Sequence, residues 1–307
     1  MSCQLKPQRP IPAEIKRVVR NQIDKAVSVI DNSEISVQES VHRVRKCCKN
    51  IRALLCLIEP SLAKHFKQEN FWYKDTTAAL SNLRDADAML ESLDKLLIAQ
   101  SDNSNVEGID EVAASWLQQQ LLVRKNDVAS AREDTDHALN AAKVRLQKGR
   151  QRLAIWRIKD KGFETISSGL EKTYRQARSR MKTAKKDPSN KNLHDWRKRI
   201  KQLYFHIYLL TKSWPALLTC LGDELKRLGE ILGDDHDLAV LTEFVRTTES
   251  GHCKEVILGA IGAQRTSLQA TAIAMGERLC AESPKNFRKR HQLYWEASQR
   301  QGNICKA

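Results

Sequence analysis

Proline is scarce in this chain of 307 residues: seven in all, at positions 7, 10, 12, 60, 188, 215 and 284. None falls between Pro60 and Pro188, so nothing in that stretch breaks a helix by removing a donor and clashing with the preceding turn. β-branched runs with period two are scarce as well, which argues against sheet. No apolar run approaches the roughly 20 residues that span a bilayer. The opening "MSCQLKPQRPIPAEIKR" carries no apolar segment of a secretory signal. CxxC is absent, and the eight cysteines (3, 47, 48, 56, 220, 253, 280, 305) are scattered. That pattern fits reduced, mostly packed thiols in a cytoplasm rather than a disulfide framework. GxxxxGK[ST], HExxH and GxSxG are missing too, which removes the signatures of P-loop, zinc-peptidase and serine-hydrolase chemistry. Acid is in deficit: 37 Asp and Glu stand against 52 Lys and Arg, a formal charge of +15. Such a balance calls for a polyanionic partner, whether nucleic acid, an acidic membrane surface or a phosphate polymer.

What the chain does have is Ala, Leu, Lys, Arg, Gln and Glu, the strong helix formers. With 41% hydrophobic and 29% charged residues it reads as globular and all-α. Expected helices cover about 12–30, 39–58, 62–82, 85–100, 110–158 (one long helix or a hairpin), 163–186, 192–212, 216–232, 236–249, 252–280 and 285–299. "SDNSNVEG" (101–108) and "KKDPSN" (185–190) read as loops. Two basic runs stand out. Lys172 to Lys186 holds seven cations and no acid, and Arg145 to Lys161 holds seven against Asp160. Runs of this kind are ordinarily solvated faces.

The stretch "VHRVRKCCKNIRALL" (41–55) has a second copy in "LHDWRKRIKQLYFHI" (193–207). His42 meets His194, Arg45 meets Arg197, Lys46 meets Lys198 and Lys49 meets Lys201, all at an offset of 152 residues. The same offset sets Arg84-Asp85 on His236-Asp237. Two similarities in one register predict two related helical halves, about 12–158 and 163–300, with a pseudo-twofold axis between them. At about 100° per residue, His42, Arg45, Lys46 and Lys49 share one stripe of a helix, and Val44, Cys47, Cys48, Ile51, Leu54 and Leu55 lie opposite. In the second copy His194, Arg197, Lys198 and Lys201 form the polar stripe, and Trp196, Ile200, Leu203 and Ile207 the apolar one. Cys47 and Cys48 are therefore packing residues.

A metal role for His42 or His194 does not fit, because their helical neighbours are cations rather than electron-pair donors. A core histidine is the bland reading of either copy alone. The recurrence with the same cationic companions points to an anion site. Arg offers phosphate a planar fork, Lys a mobile charge and His a neutral donor that gains charge beside an anion. Two such ladders facing each other would line a basic groove or pore suited to a linear polyanion. Asp85 and Asp237 are expected as supports that hold a ladder rotamer, or else as helix N-caps.

The doubled motifs, followed by "LRDADAML" and "LGDDHDLAVL", resemble the CHAD domain, the conserved histidine α-helical domain. The resemblance covers about residues 12–300. It implies two four-helix bundles related by pseudo-twofold symmetry, and binding of inorganic polyphosphate at their junction. The contacts it implies are His42, Arg45, Lys46, Lys49 and Arg52 in the first half and His194, Arg197, Lys198 and Lys201 in the second. Arg17, Arg20, Arg175 and Arg178 come from the helix preceding each motif. Tyr204 stands where the first half has Arg52, so the ladders are unequal at that rung. The ExExK signature of the triphosphate-tunnel domain that many family members also carry is absent. A binding module, not an enzyme, is expected, with no cofactor and no metal, in the cytoplasm and at polyphosphate granules. The alternatives are an RNA- or DNA-binding helical protein and a scaffold for protein partners. The aromatics of the motif follow the apolar stripe, which favours a ligand without bases.

Overall fold

The computed structural model describes residues 3–62, 65–78, 80, 85–101, 109–129, 132–248 and 251–304. Among them are twelve α-helices and no β-strand. They are α1 (Ile11–Ile30), α2 (Val37–Leu57), α3 (Glu59–Leu62), α4 (His65–Thr76), α5 (Asp85–Ser101), α6 (Glu111–Ala129), α7 (Arg132–Arg152), α8 (Glu164–Lys186), α9 (Asn190–Leu210), α10 (Pro215–Thr247), α11 (His252–Leu279) and α12 (Pro284–Ile304).

Local chemistry sets many of these ends. Pro12, Pro215 and Pro284 sit in first turns, where a missing N–H costs nothing. Ser36 caps α2 by accepting from the Glu39 N–H. Gly162 takes a positive φ of 56°, making the turn that leads from Trp156 into α8.

Three differences from the expected boundaries have physical reasons. The segment 110–158 is a hairpin, α6 and α7, rather than one rod. The segments 216–232 and 236–249 are one helix, α10, because "GDDHD" contains no proline and is held along its length by packing on α9 and α11. The segment 62–82 is shortened to α4, which ends at Thr76. The expected 101–108 loop falls, from 102 on, outside the described residues.

Two apolar cores result. The larger gathers side chains from α1, α2, α8, α9, the first part of α10 and α12, with Trp156, Trp196 and Trp295 fully buried. The smaller is built from Met89, Leu93 and Leu96 of α5, Leu117 and Leu121 of α6, Leu238 and Leu241 of α10 and Ile257 of α11, among others. It therefore draws two helices from the first half of the chain and two from the second. Helix bounds recur along the chain: Arg132–Arg152 lies 152 residues before Pro284–Ile304 at both ends. Val37–Leu57 lies 153 before Asn190–Leu210.

Two glycines set helix spacing in the larger core. A Cβ on Gly169 would stand 2.0 Å from the Leu57 carbonyl oxygen, so α8 meets the end of α2 backbone to backbone. A Cβ on Gly276 would stand 2.5 Å from the Trp196 ring, so Trp196 packs directly on α11. Where α2 and α9 cross, the fully buried His206 donates from Nε2 to the Ala53 carbonyl at 2.8 Å. No described helix is long and apolar enough to cross a membrane.

Candidate anion-binding site

Both motif helices bury the face that the pattern assigns to the core. On α2, Val44, Cys47, Cys48, Ile51, Leu54 and Leu55 are buried. On α9, Trp196, Ile200, Leu203 and Ile207 are buried. Burial pushes the Cys47 thiol up to about 11 and the Cys48 thiol to about 12, so both are inert packing groups at neutral pH. The polar stripes remain outside, with Lys46, Lys49, Lys198 and Lys201 exposed and both motif histidines half-buried.

The second ladder is built against α10. The His194 and His236 rings lie against each other at a tilt, with centroids 4.4 Å apart and planes at 31°. Arg197 lies across Gly233, where a Cβ would stand 2.9 Å from Nη2. The absence of a side chain there is what lets the guanidinium settle along α10. One turn on, the Arg197 Nη1 is 3.9 Å from a carboxylate oxygen of Asp237, a loose ion pair. Asp237 is inside α10, so the N-cap reading does not apply to it. Lys201 runs beside Gly229, its Cγ 3.6 Å from where a Cβ would be. Lys198 pairs with Asp195 at 3.2 Å.

The electrostatics follow from crowding. Burial, then His236, Lys198 and Arg197, hold His194 down to about 4. Its Nδ1 is buried with no hydrogen-bond partner. Burial and the cations Arg197, Lys201 and Lys198 also lower His236, against the pull of Asp235. Burial raises the Asp237 carboxyl, with Arg197 opposing. The neighbouring Asp235 is buried and faces α11, accepting from Arg265 at 3.0 Å and Gln269 at 2.8 Å.

The first ladder leans on other elements. Arg45 donates to the Leu80 carbonyl at 3.0 Å, just ahead of α5. Arg52 donates to Asn70 of α4 at 3.0 Å, so that rung is tied to its neighbour helix. Asp85 opens α5, but its side chain, like Arg84, lies outside the described residues. Lys95 of α5 pairs with Asp234 of α10 at 3.1 Å. A helix of the first half of the chain is thus joined to α10, the helix against which the second ladder is built.

Three of the four basic residues of the preceding helices have protein partners of their own. Arg17 pairs with the buried Glu14 at 2.6 Å and donates to the Gln4 carbonyl, fastening the N-terminal segment to α1. Arg20 is exposed on α1. Arg175 pairs with Glu171, and Arg178 donates from Nε to the Cys280 carbonyl at 3.0 Å. Those two line a separate cleft with Lys182, Lys186 and Asn192, which no residue of the second ladder enters.

Motif reading passed over His236 as a site member. The signal was present: at the same offset it faces Arg84, a cation-capable side chain ahead of an aspartate in both copies. Gly233, the seat of Arg197, carries no such signal, because its role exists only when α10 is laid against α9. Among the described residues no group of three His, Cys, Asp or Glu side chains is placed to hold a metal ion.

An all-α protein with two cation-bearing helices, α2 and α9, in contact defines the class. The family follows from comparison: the model of the CHAD domain matches residues 18–246, and the chain belongs to that family. PptA from Streptomyces chartreusis shares the fold, with a TM-score of 0.58 over 89% of this chain and 100% of that one at 15% identity. No curated protein matches the chain.

Proposed function

We propose that this protein binds linear inorganic polyphosphate along the two ladders, as a binding module rather than an enzyme. The family is linked to polyphosphate binding, and the present chain keeps the cations that such a ligand needs. The observation that carries the reading is the crossing of α2 and α9. Ala53 and His206 touch there, and these positions are equivalent to within one residue at the 152-residue offset. Contact between equivalent positions is what a twofold axis produces. Two related halves meeting at such an axis would present the like-charged stripes of α2 and α9 from one region of the surface. The Lys95–Asp234 link brings α5 and α10 together beside them.

The proposed ligands are His42, Arg45, Lys46 and Lys49 on α2 and His194, Arg197, Lys198 and Lys201 on α9, with His236 added from α10. Asp237 positions Arg197. Burial and the neighbouring cations keep His194 and His236 neutral; a run of phosphates would offset the cations, and the rings would take up protons as it bound. Trp196 and Phe205 are buried, so they offer no stacking face to a base. Residence at polyphosphate granules is a corollary.

The test is the variant Lys46→Glu, Lys49→Glu, Lys198→Glu, Lys201→Glu. All four side chains are exposed, so helical content should be unchanged while affinity for long-chain polyphosphate collapses. Parental affinity in that variant would remove the assignment. Polyphosphate should displace single-stranded RNA of equal charge far better than the reverse; equal exchange would favour the nucleic-acid reading instead.

A further inference from the structure

Helix α6 is apolar on two sides. Ala113, Leu117 and Leu121 are buried in the smaller core. At about 100° per residue, Val112, Trp116, Gln119 and Val123 fall in a separate stripe about 60° wide. Val112 and Val123 are 67% and 60% exposed, and Leu122 beside them is 44% exposed. Trp116 is half-buried and packs partly on the smaller core. No charged side chain occurs from Val112 to Val123, although 29% of the whole chain is charged and about three or four charges would be expected in twelve residues. The first cation after the stretch, Arg124, is folded over the Phe244 ring of α10, 5.2 Å from its centroid. A helix without a charged face is ordinarily covered on all sides.

Single exposed apolar side chains are common and mean little. Phe71 of α4 is one, standing among the exposed Lys67, Lys74 and Asp75. On α6 the apolar side chains recur with nothing charged between them, which marks an interaction face. The neighbouring helix has the same character. α11 packs on α6 and carries no charge from Val256 to Gln264. It exposes Gly259, Gly262 and Ala263, with open space beside both glycines.

We propose that the outer face of α6 is a docking surface for a second copy of this chain. Charge selects that partner. Each copy carries +15, so two copies repel wherever their basic faces meet, and a self-interface has to lie where neither copy brings charge. An acidic partner protein would be drawn to the basic faces instead. The pattern is also self-complementary. Spacings of four, three and four residues are those of a coiled-coil seam, here with valine at each end. A twofold axis between Trp116 and Gln119 would set Val112 of one copy against Val123 of the other. The stretch is about 18 Å long, so α6 alone falls short of the roughly 800 Å² per partner of a standard interface, and micromolar association is expected. No ladder residue lies on α6 or α11, so this proposal stands or falls apart from the ligand reading.

The test is sedimentation equilibrium of the full chain, freed of polyanions, over about 1–100 μM and at about 0.1 and 0.5 M salt. Four forms are compared: the parent, Val112→Glu/Val123→Glu, Gln119→Leu, and Phe71→Glu/Leu293→Glu as a control at exposed apolar positions elsewhere. The parent should pass from monomer to dimer, and the dimer should tighten at the higher salt as repulsion between two basic bodies is screened. The glutamate pair on α6 should weaken the dimer about tenfold or more with circular dichroism unchanged, since both valines are exposed. Gln119→Leu removes the one polar residue of the seam and should tighten the dimer about threefold or more. The control should match the parent. The proposal is overturned if the parent stays monomeric, if its mass climbs past the dimer, or if association weakens with salt, as bridging by ion pairs would. It is equally overturned if the α6 glutamate pair matches the parent or the control falls as far. Should the glutamate pair lose helical content, Gln119→Leu decides, and no tightening overturns the proposal.

Discussion

Acidification should unfold this protein through two histidines that have nothing to do with the ligand. His206 and His291 are 0% and 1% exposed. Each neutral ring donates once, His206 to the Ala53 carbonyl and His291 from Nδ1 to the Phe287 carbonyl, both at 2.8 Å. Each leaves its other nitrogen buried with no partner. A proton added there would find no acceptor, and burial pushes both rings down to about 4. The unfolded value is about 6.5. Between these limits the unfolded chain binds the protons and the native state does not. Stability is therefore full above pH 6.5 and falls as the pH drops toward 4. At pH 5 the loss is about 2 kcal/mol for each histidine, a large share of the 5–15 kcal/mol typical of a folded protein. Urea denaturation followed by circular dichroism at pH 7, 6 and 5 measures it. His206→Leu should cost about 1 kcal/mol at pH 7 through the lost hydrogen bond, and the parent's disadvantage should then erase that gap by pH 5. A parent curve flat from pH 7 to 5, or a pH slope unchanged in His206→Leu, refutes the reasoning.

Two glycine substitutions should separate packing from binding. Gly169→Ala drives a methyl into the Leu57 backbone and should destabilise by about 1–3 kcal/mol in the same urea assay. Gly233→Ala meets only the movable end of Arg197, so stability should hold or rise by up to about 1 kcal/mol, as helix propensity dictates, while polyphosphate affinity falls several-fold. Binding should tighten as the pH falls from 7 to 5.5, because a bound polyanion raises His194 and His236 from their lowered values; buffers of different ionisation heat will report the proton uptake. Under native conditions a thiol reagent should modify the exposed Cys220 and spare Cys47 and Cys48, and prompt loss of the buried pair would contradict their packing role.

The all-helical class and the two motif helices were legible because a 3.6-residue period leaves a direct trace in residue type. Cys47, Cys48, Trp196 and Ile200 are buried on the faces that the pattern assigned to them. Boundaries were harder where no residue forces a stop. "GDDHD" looks like a break by composition, yet α10 runs through it, because packing on α9 and α11 outweighs a weak local preference. Arg175 and Arg178 were recognisable as cations but not as lining of a cleft with α12, since no local pattern states which side of a helix a distant segment will cover. Arg17 was recognisable as a cation, but its pairing with the buried Glu14 was not.

The sequence by itself determined helix content, the amphipathic faces of α2 and α9, the repeat of the cationic motif and the excess of positive charge. All of these depend on residue type at fixed spacing. Only the tertiary structure decided that the smaller core mixes helices from both halves of the chain, that Arg197 rests on Gly233, and that the His194 and His236 rings meet. Those contacts join residues about forty to more than a hundred positions apart. They exist because burying apolar faces dictates which helices touch, and the polar groups beside those faces are carried along.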